Sequence, residues 1–165
     1  MEYSVSRLIS EMIRYNAGDP RRIHHALKVY AFSKAIGGEE RLSPAQRKIL
    51  EAAAVLHDIG IHESERKYGS SAGRYQELEG PPAARELLKP FDLPTEFTDR
   101  VCYLIGHHHT YDGIDGIDYQ ILVEADFLVN LYEDGCTREA ARSALERVFK
   151  TETGKGYLKS MFFTE

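Results

Sequence analysis

Ala52-Ala53-Ala54-Val55-Leu56-His57-Asp58-Ile59-Gly60 ends a helix-like apolar run with an imidazole and a carboxylate side by side. Burying such a pair is costly unless something cationic or hydrogen-bonding compensates both groups. Asp58 also sits badly at a helix C-terminus, which already carries negative partial charge. Two readings meet these facts. Either the helix end reaches solvent and Asp58 caps the loop beyond, or a divalent cation is held at the doublet.

On both sides of this doublet, helical signals recur along the whole chain. Val5, Leu8, Ile9, Met12 and Ile13 follow the period of an amphipathic helix. Asp19-Pro20 reads as an N-cap with proline at the first helical position, and Gly37-Gly38 as the end of that helix near Ile36. Ser43-Pro44-Ala45-Gln46 is a capping-box pattern that opens the helix leading to the doublet. The polar stretch from Ile61 to Gly80 reads as a long loop with a short helix at most, the kind of loop that often carries function. Pro81-Pro82 and Leu93-Pro94 each read as a helix start. Further helices are expected from about Asp118 to Tyr132 and from Thr137 to about Phe149. No run alternates polar and apolar residues as a strand would, so the fold class is all-α.

The seven histidines lie in three places: His24 and His25, His57 with His62, and His107, His108 and His109. On a helical wheel His25 joins Val29, Phe32 and Ile36 on the bulky apolar stripe, whereas His24 falls with Lys28, Ala31 and Ala35. Asp126 lies in the apolar run ILVEADFLVNLY beside Leu122 and Val129. Each residue has a plain explanation in isolation: a core histidine satisfied by a carbonyl, a surface aspartate, a solvated row of histidines. A single metal site drawing one ligand from each of several helices explains them together, and bundle cores are where such sites are built. Mixed imidazole and carboxylate ligands suit zinc, manganese or iron.

Composition sets the outer limits. The chain has 165 residues, 42% of them hydrophobic and 28% charged, which suits one compact domain. The net charge of −5 argues against duplex DNA or RNA as a partner, but not against a small phosphate ester whose charge a metal would neutralise. No apolar run is long enough to span a bilayer, and the N-terminus lacks the pattern of a signal peptide. A cytoplasmic location is therefore expected. Cys102 and Cys136 are too few for a disulfide framework and are expected as reduced thiols in or near the core.

His25-x-x-x-Val29, His57-Asp58-Ile59-Gly60, His107-His108 and Ala125-Asp126, in that order over about residues 20–132, resemble the HD-domain superfamily of metal-dependent phosphohydrolases. The resemblance implies a helical bundle of about six to eight helices. It also implies a single HD domain over residues 1–165, with a C-terminal helical extension from 137. The metal ligands it implies are His25, His57, Asp58 and Asp126. In some branches a second ion is held by further histidines. His107 and His108 match the later pair of these, while Glu79 stands near the other position, where histidine is usual. The chain departs from several branches in having Ile61-His62 after the doublet. It also lacks the glycine-tyrosine-proline motif of cyclic dinucleotide phosphodiesterases.

The activity implied is hydrolysis of a small phosphate ester or nucleotide by water activated on one or two divalent ions (Mn, Fe, Zn, Co, Ni or Mg). In that scheme Asp58 bridges the ions, and His62 or a histidine near 108 protonates the leaving group. Lys28, Arg66, Lys67 and Arg74 are the candidate phosphate contacts. A di-iron oxygenase and a non-catalytic metal- or nucleotide-sensing module are the alternatives. Oligomeric state is left open, with a homodimer as one option.

Overall fold

The structure is a computed structural model that describes residues 1–164. Among these it is all-helical, with α1 (Val5–Tyr15), α2 (Pro20–Glu39), α3 (Pro44–Leu56), α4 (Ile61–Tyr68), α5 (Gly73–Leu88), α6 (Thr95–Ile105), α7 (Ile117–Glu133), α8 (Arg138–Arg147) and α9 (Glu152–Phe162). No helix among the described residues is long and apolar enough to cross a membrane.

α3 is the hub, and α1, α2, α6 and α7 pack around it. Its run from Ala52 to Leu56 is wholly buried. Small alanine side chains let several neighbours approach one helix at once, which is why this stretch is apolar on every side rather than striped. α7 is buried along nearly its whole length, including Asp126 and Glu124. α2 spans both α3 and α7. These three central helices bring His25, His57 and Asp126 to one end of the bundle.

The N-termini are capped as the sequence indicates. Asp19 accepts from the Arg22 amide, and the Ser43–Gln46 capping box is complete. Other boundaries differ. α2 runs through Gly37-Gly38 to Glu39. A Cβ at Gly37 would stand 3.2 Å from Leu50 Cδ2, so this glycine serves the close packing of α2 on α3 rather than a stop.

The expected long loop from Ile61 to Gly80 is α4 and the first half of α5. The residues of α4 that face water are charged and pair locally, as Arg66 does with Glu63, so the segment looks loop-like in sequence. α5 buries Gln76, Gly80, Ala84 and Leu88, a stripe at four-residue spacing with little hydrophobic signal. Pro81 and Pro82 lie inside α5 rather than at its start. Each removes an amide donor, and packing against α4 and α6 holds the helix through them. Cys102 is buried, but Cys136 is exposed rather than in the core.

Candidate metal centre

The doublet does not extend α3. His57 to Gly60 form a tight turn in which the Ile59 amide donates to Leu56 O and the Ile61 amide to Asp58 O. This turn projects both side chains off the helix end. His25 lies near the start of α2, Asp126 in the middle of α7, and His108 and His109 in the turn after α6.

Four of these residues converge. His25 Nε2 is 3.1 Å from His57 Nε2, 3.2 Å from Asp58 Oδ2 and 3.2 Å from Asp126 Oδ1. His57 Nε2 is 3.4 Å from each of the same two carboxylate oxygens. Atoms bound to one cation at about 2.1 Å stand about 3.0–3.4 Å from each other in octahedral or tetrahedral arrangements. The observed spacings fall in that range.

The proton positions point the same way. His57 Nδ1 donates to Ala54 O at 2.7 Å, and His25 Nδ1 donates to Glu133 Oε1 at 2.5 Å. A neutral imidazole that donates from Nδ1 offers a lone pair at Nε2. Two nitrogen lone pairs and two carboxylate oxygens therefore face one another with no hydrogen between them. Protonating both rings would set two N–H bonds head to head across 3.1 Å. A cation resolves the conflict for all four groups.

Without a cation the cluster is strongly polarised. Burial alone would lower the His25 pKa, but hydrogen bonds that the protonated ring would donate to Asp126 and Asp58 outweigh it and raise it to about 10. His57 is likewise raised despite burial, by the charges and hydrogen bonds of the same two carboxylates. Burial would push Asp58 and Asp126 up, yet both are held well below the ordinary carboxylate value by the facing histidines.

A second group adjoins the first through Asp58. Ligand atoms of Asp58, His108 and His109 lie within 4.8 Å of one another. His108 Nδ1 donates to Ile105 O at 2.7 Å, which leaves Nε2 fully buried, without a hydrogen-bond partner, 3.3 Å from Asp58 Oδ1. A buried lone pair aimed at a carboxylate oxygen is again a feature that a cation satisfies. Gln76 Nε2 donates to Ser71 O, so its Oε1 accepts from His109 Nε2, leaving His109 Nδ1 as the acceptor. Burial and the neighbouring His108 lower the His109 pKa to about 4, so this ring is neutral at physiological pH.

A cavity of about 540 Å³ opens over both groups. Asp19, Arg21, Arg22, Ile61, Ser71, Gln76, Asn130, Glu133 and Asp134 complete its wall beside the histidines and carboxylates.

The remaining sequence candidates lie elsewhere. Glu79 is engaged by Lys67 at 2.9 Å and by the Tyr68 hydroxyl at 3.0 Å, away from either group. His107 donates to Tyr103 O and stacks on the Tyr103 ring. The next two residues, His108 and His109, face inward from the turn after α6 in its place. Arg66 is paired with Glu63, and Arg74 lies over the Tyr75 ring. Lys28 pairs with Glu133 at 3.2 Å and is outside the cavity wall. His62 also stands outside the wall and reaches it only through Asp19, at 2.9 Å.

Sequence reasoning missed Arg21, Arg22, Glu133 and Gln76. Helical spacing could have found three of them. The arginines precede His25 by one turn, and Glu133 follows Asp126 by two turns on the same face. Gln76 had no such signal, because its helix was not recognised.

Comparison with known proteins bears on the family and the fold. The family model of the HD domain matches residues 22–145. A crystal structure of a predicted HD superfamily hydrolase from an uncultured Thermotogales bacterium superposes with a TM-score of 0.68 at 23% identity. The match covers 94% of this chain and 83% of that one. No curated protein matches the chain. The shared fold and a family match over three-quarters of the sequence lead to one conclusion: the chain belongs to the HD-domain family.

Proposed function

We propose that the protein is a metal-dependent phosphohydrolase acting on a small phosphate ester or nucleotide. His25, His57, Asp58 and Asp126 would hold one divalent cation, and Asp58, His108 and His109 a second. One observation carries this reading. Three imidazoles each donate one ring proton to a fixed acceptor, and their other nitrogens face carboxylate oxygens with nothing between. The description of the structural relative as a predicted hydrolase is consistent with it.

A divalent ion in such a site supplies charge neutralisation for a phosphoryl group and lowers the pKa of water toward neutrality. The chain's own residues contribute the rest. Arg21 is exposed in the cavity wall and has no ion-pair partner among the described residues, so its guanidinium is available to a phosphate. Arg22 is held by Glu65 and Asp19 and adds fixed positive charge beside it. These two arginines replace Lys28, Arg66, Lys67 and Arg74 as the cationic contacts. Asp58 has one oxygen toward each group, which suits a bridging carboxylate. Glu133 fixes the ring and tautomer of His25 from behind, and such outer carboxylates sustain metal affinity.

Chelator-stripped protein, reloaded separately with Mn, Fe, Co, Ni, Zn or Mg, is to be assayed for phosphate release from a panel of monoesters and anhydrides. At least one metal should restore turnover, and His57→Ala should abolish both bound metal and turnover. Phosphate release that survives in His57→Ala would overturn the mechanism. Iron-dependent oxygen uptake without phosphate release would favour an oxygenase instead.

A further inference from the structure

A second cavity of about 310 Å³ opens beside the first, lined by Tyr111, Phe127, Asn130, Leu131, Asp134 and Cys136. Asn130 and Asp134 also line the larger cavity over the metal-binding groups, so the two spaces share a wall. The characters of the two differ. The larger is built mainly of charged and polar side chains, whereas four of the six residues here are aromatic, aliphatic or thiol.

Phe127 follows Asp126 directly on α7, so the helix that offers a carboxylate to one space offers a ring to the other. Tyr111 packs edge-on against Phe127, with ring centroids 5.2 Å apart at 64°. Tyr111 is nevertheless 45% exposed, and Phe127 is only partly buried. Two rings set at this angle and open on one side form a corner in which a third planar group can stack. On the shared edge, the Asn130 amide donates to Asp126. The Asp134 carboxylate has no side-chain partner among the described residues and can accept from hydroxyl groups.

We propose that this groove is the subsite for the alcohol portion of the substrate, and that it takes a planar aromatic ring joined to the phosphate through a hydroxyl-bearing linker. The inference rests on the phosphohydrolase reading, which puts the phosphate in the larger cavity. From there the next contacts are Asp134, an acceptor for linker hydroxyls, and then the Tyr111–Phe127 corner. The substrate class is therefore ring-bearing phosphomonoesters rather than simple sugar or polyol phosphates.

Non-hydrolysable phosphonates, in which carbon replaces the ester oxygen, test this without turnover. Calorimetry on metal-loaded protein would compare the phosphonate analogues of adenosine monophosphate and of ribose 5-phosphate, which carry adenine and a hydroxyl, respectively, on the anomeric carbon. Stacking of one base on a protein ring gives about a tenfold or greater gain in affinity. The ring-bearing analogue should show that gain in the wild type. In Tyr111→Ala, and in the volume-preserving Phe127→Leu, the advantage should shrink to about twofold or less. Equal affinities in the wild type, binding of neither analogue, or an advantage that survives both substitutions would overturn the proposal. Phosphate release from the matching esters reports separately on the chemistry. Hydrolysis with equal binding removes only the subsite, and ring-dependent binding without hydrolysis removes only the phosphohydrolase reading.

Discussion

A histidine can offer a lone pair from only one ring nitrogen, and here the neighbours choose which. Ala54 O, Ile105 O and Glu133 each take an Nδ1 proton, turning the Nε2 atoms of His57, His108 and His25 toward carboxylates. Two of these acceptors are carbonyls in the last turn of a helix, Ala54 in α3 and Ile105 in α6, where carbonyls lack partners within the helix. The consequence for pH follows directly. In metal-free protein the His25 pKa rises from 6.5 to about 10, so the stability it contributes is full below pH 6.5 and is lost as pH climbs through 10. Asp126 is depressed, so its contribution is present above its ordinary value of 3.8 and is lost as pH falls below it. Metal-free protein should therefore melt at progressively lower temperature between pH 6.5 and 10. A bound ion needs the imidazoles neutral, so the rise in Tm on adding metal should grow over the same interval. Thermal melts with and without chelator check this, and a metal-induced shift independent of pH would contradict it.

At the level of elements, the glycine after the doublet sets where the doublet points. A Cβ at Gly60 would stand 2.5 Å from Gly80 N and 2.8 Å from Gly80 Cα, both backbone atoms of α5. Gly80 in turn leaves room for only 2.6 Å to Ile105 Cγ2 on α6. The turn after α3 thus rests directly on α5, and α5 on α6. Gly60→Ala should destabilise the fold by about 2 kcal/mol or more, because no flexible side chain can yield. Denaturant melts would measure the loss, and wild-type stability in Gly60→Ala would refute the close crossing. The sequence reveals that a helix ends at His57-Asp58, but not that α5 crosses there. The reason is physical: α5 buries glutamine, glycine and alanine, contacts made by backbone and short side chains, and these leave no hydrophobic period. The same blindness moved the expected start of α5 to Pro81 and hid Gln76.

For the whole molecule, the four inner site residues were legible because each sits where a polar group is anomalous. His25 lies on an apolar stripe, His57 and Asp58 end a buried helix, and Asp126 is 3% exposed in the most buried helix. Residues on the rim were not legible. An arginine or lysine on a helical surface carries no such anomaly, and only the assembled bundle separates Arg21 and Arg22 from Arg66 and Lys67. The last helix, α9, is docked by another buried anomaly. Glu124, two residues before Asp126, accepts from the amides of Lys150 and Thr151 and from the Thr151 hydroxyl, and so ties the start of α9 to α7. The family match, ending at 145, does not reach this contact. All of this depends on a cation held where α2, α3 and α7 meet. Anomalous X-ray diffraction from crystals of metal-loaded protein, collected at the metal's absorption edge, measures that directly. A peak is expected among His25, His57, Asp58 and Asp126, with a second, if the site is dinuclear, on the far side of Asp58 toward His108. An empty map at both positions, or a peak only at some other place on the protein, would contradict it.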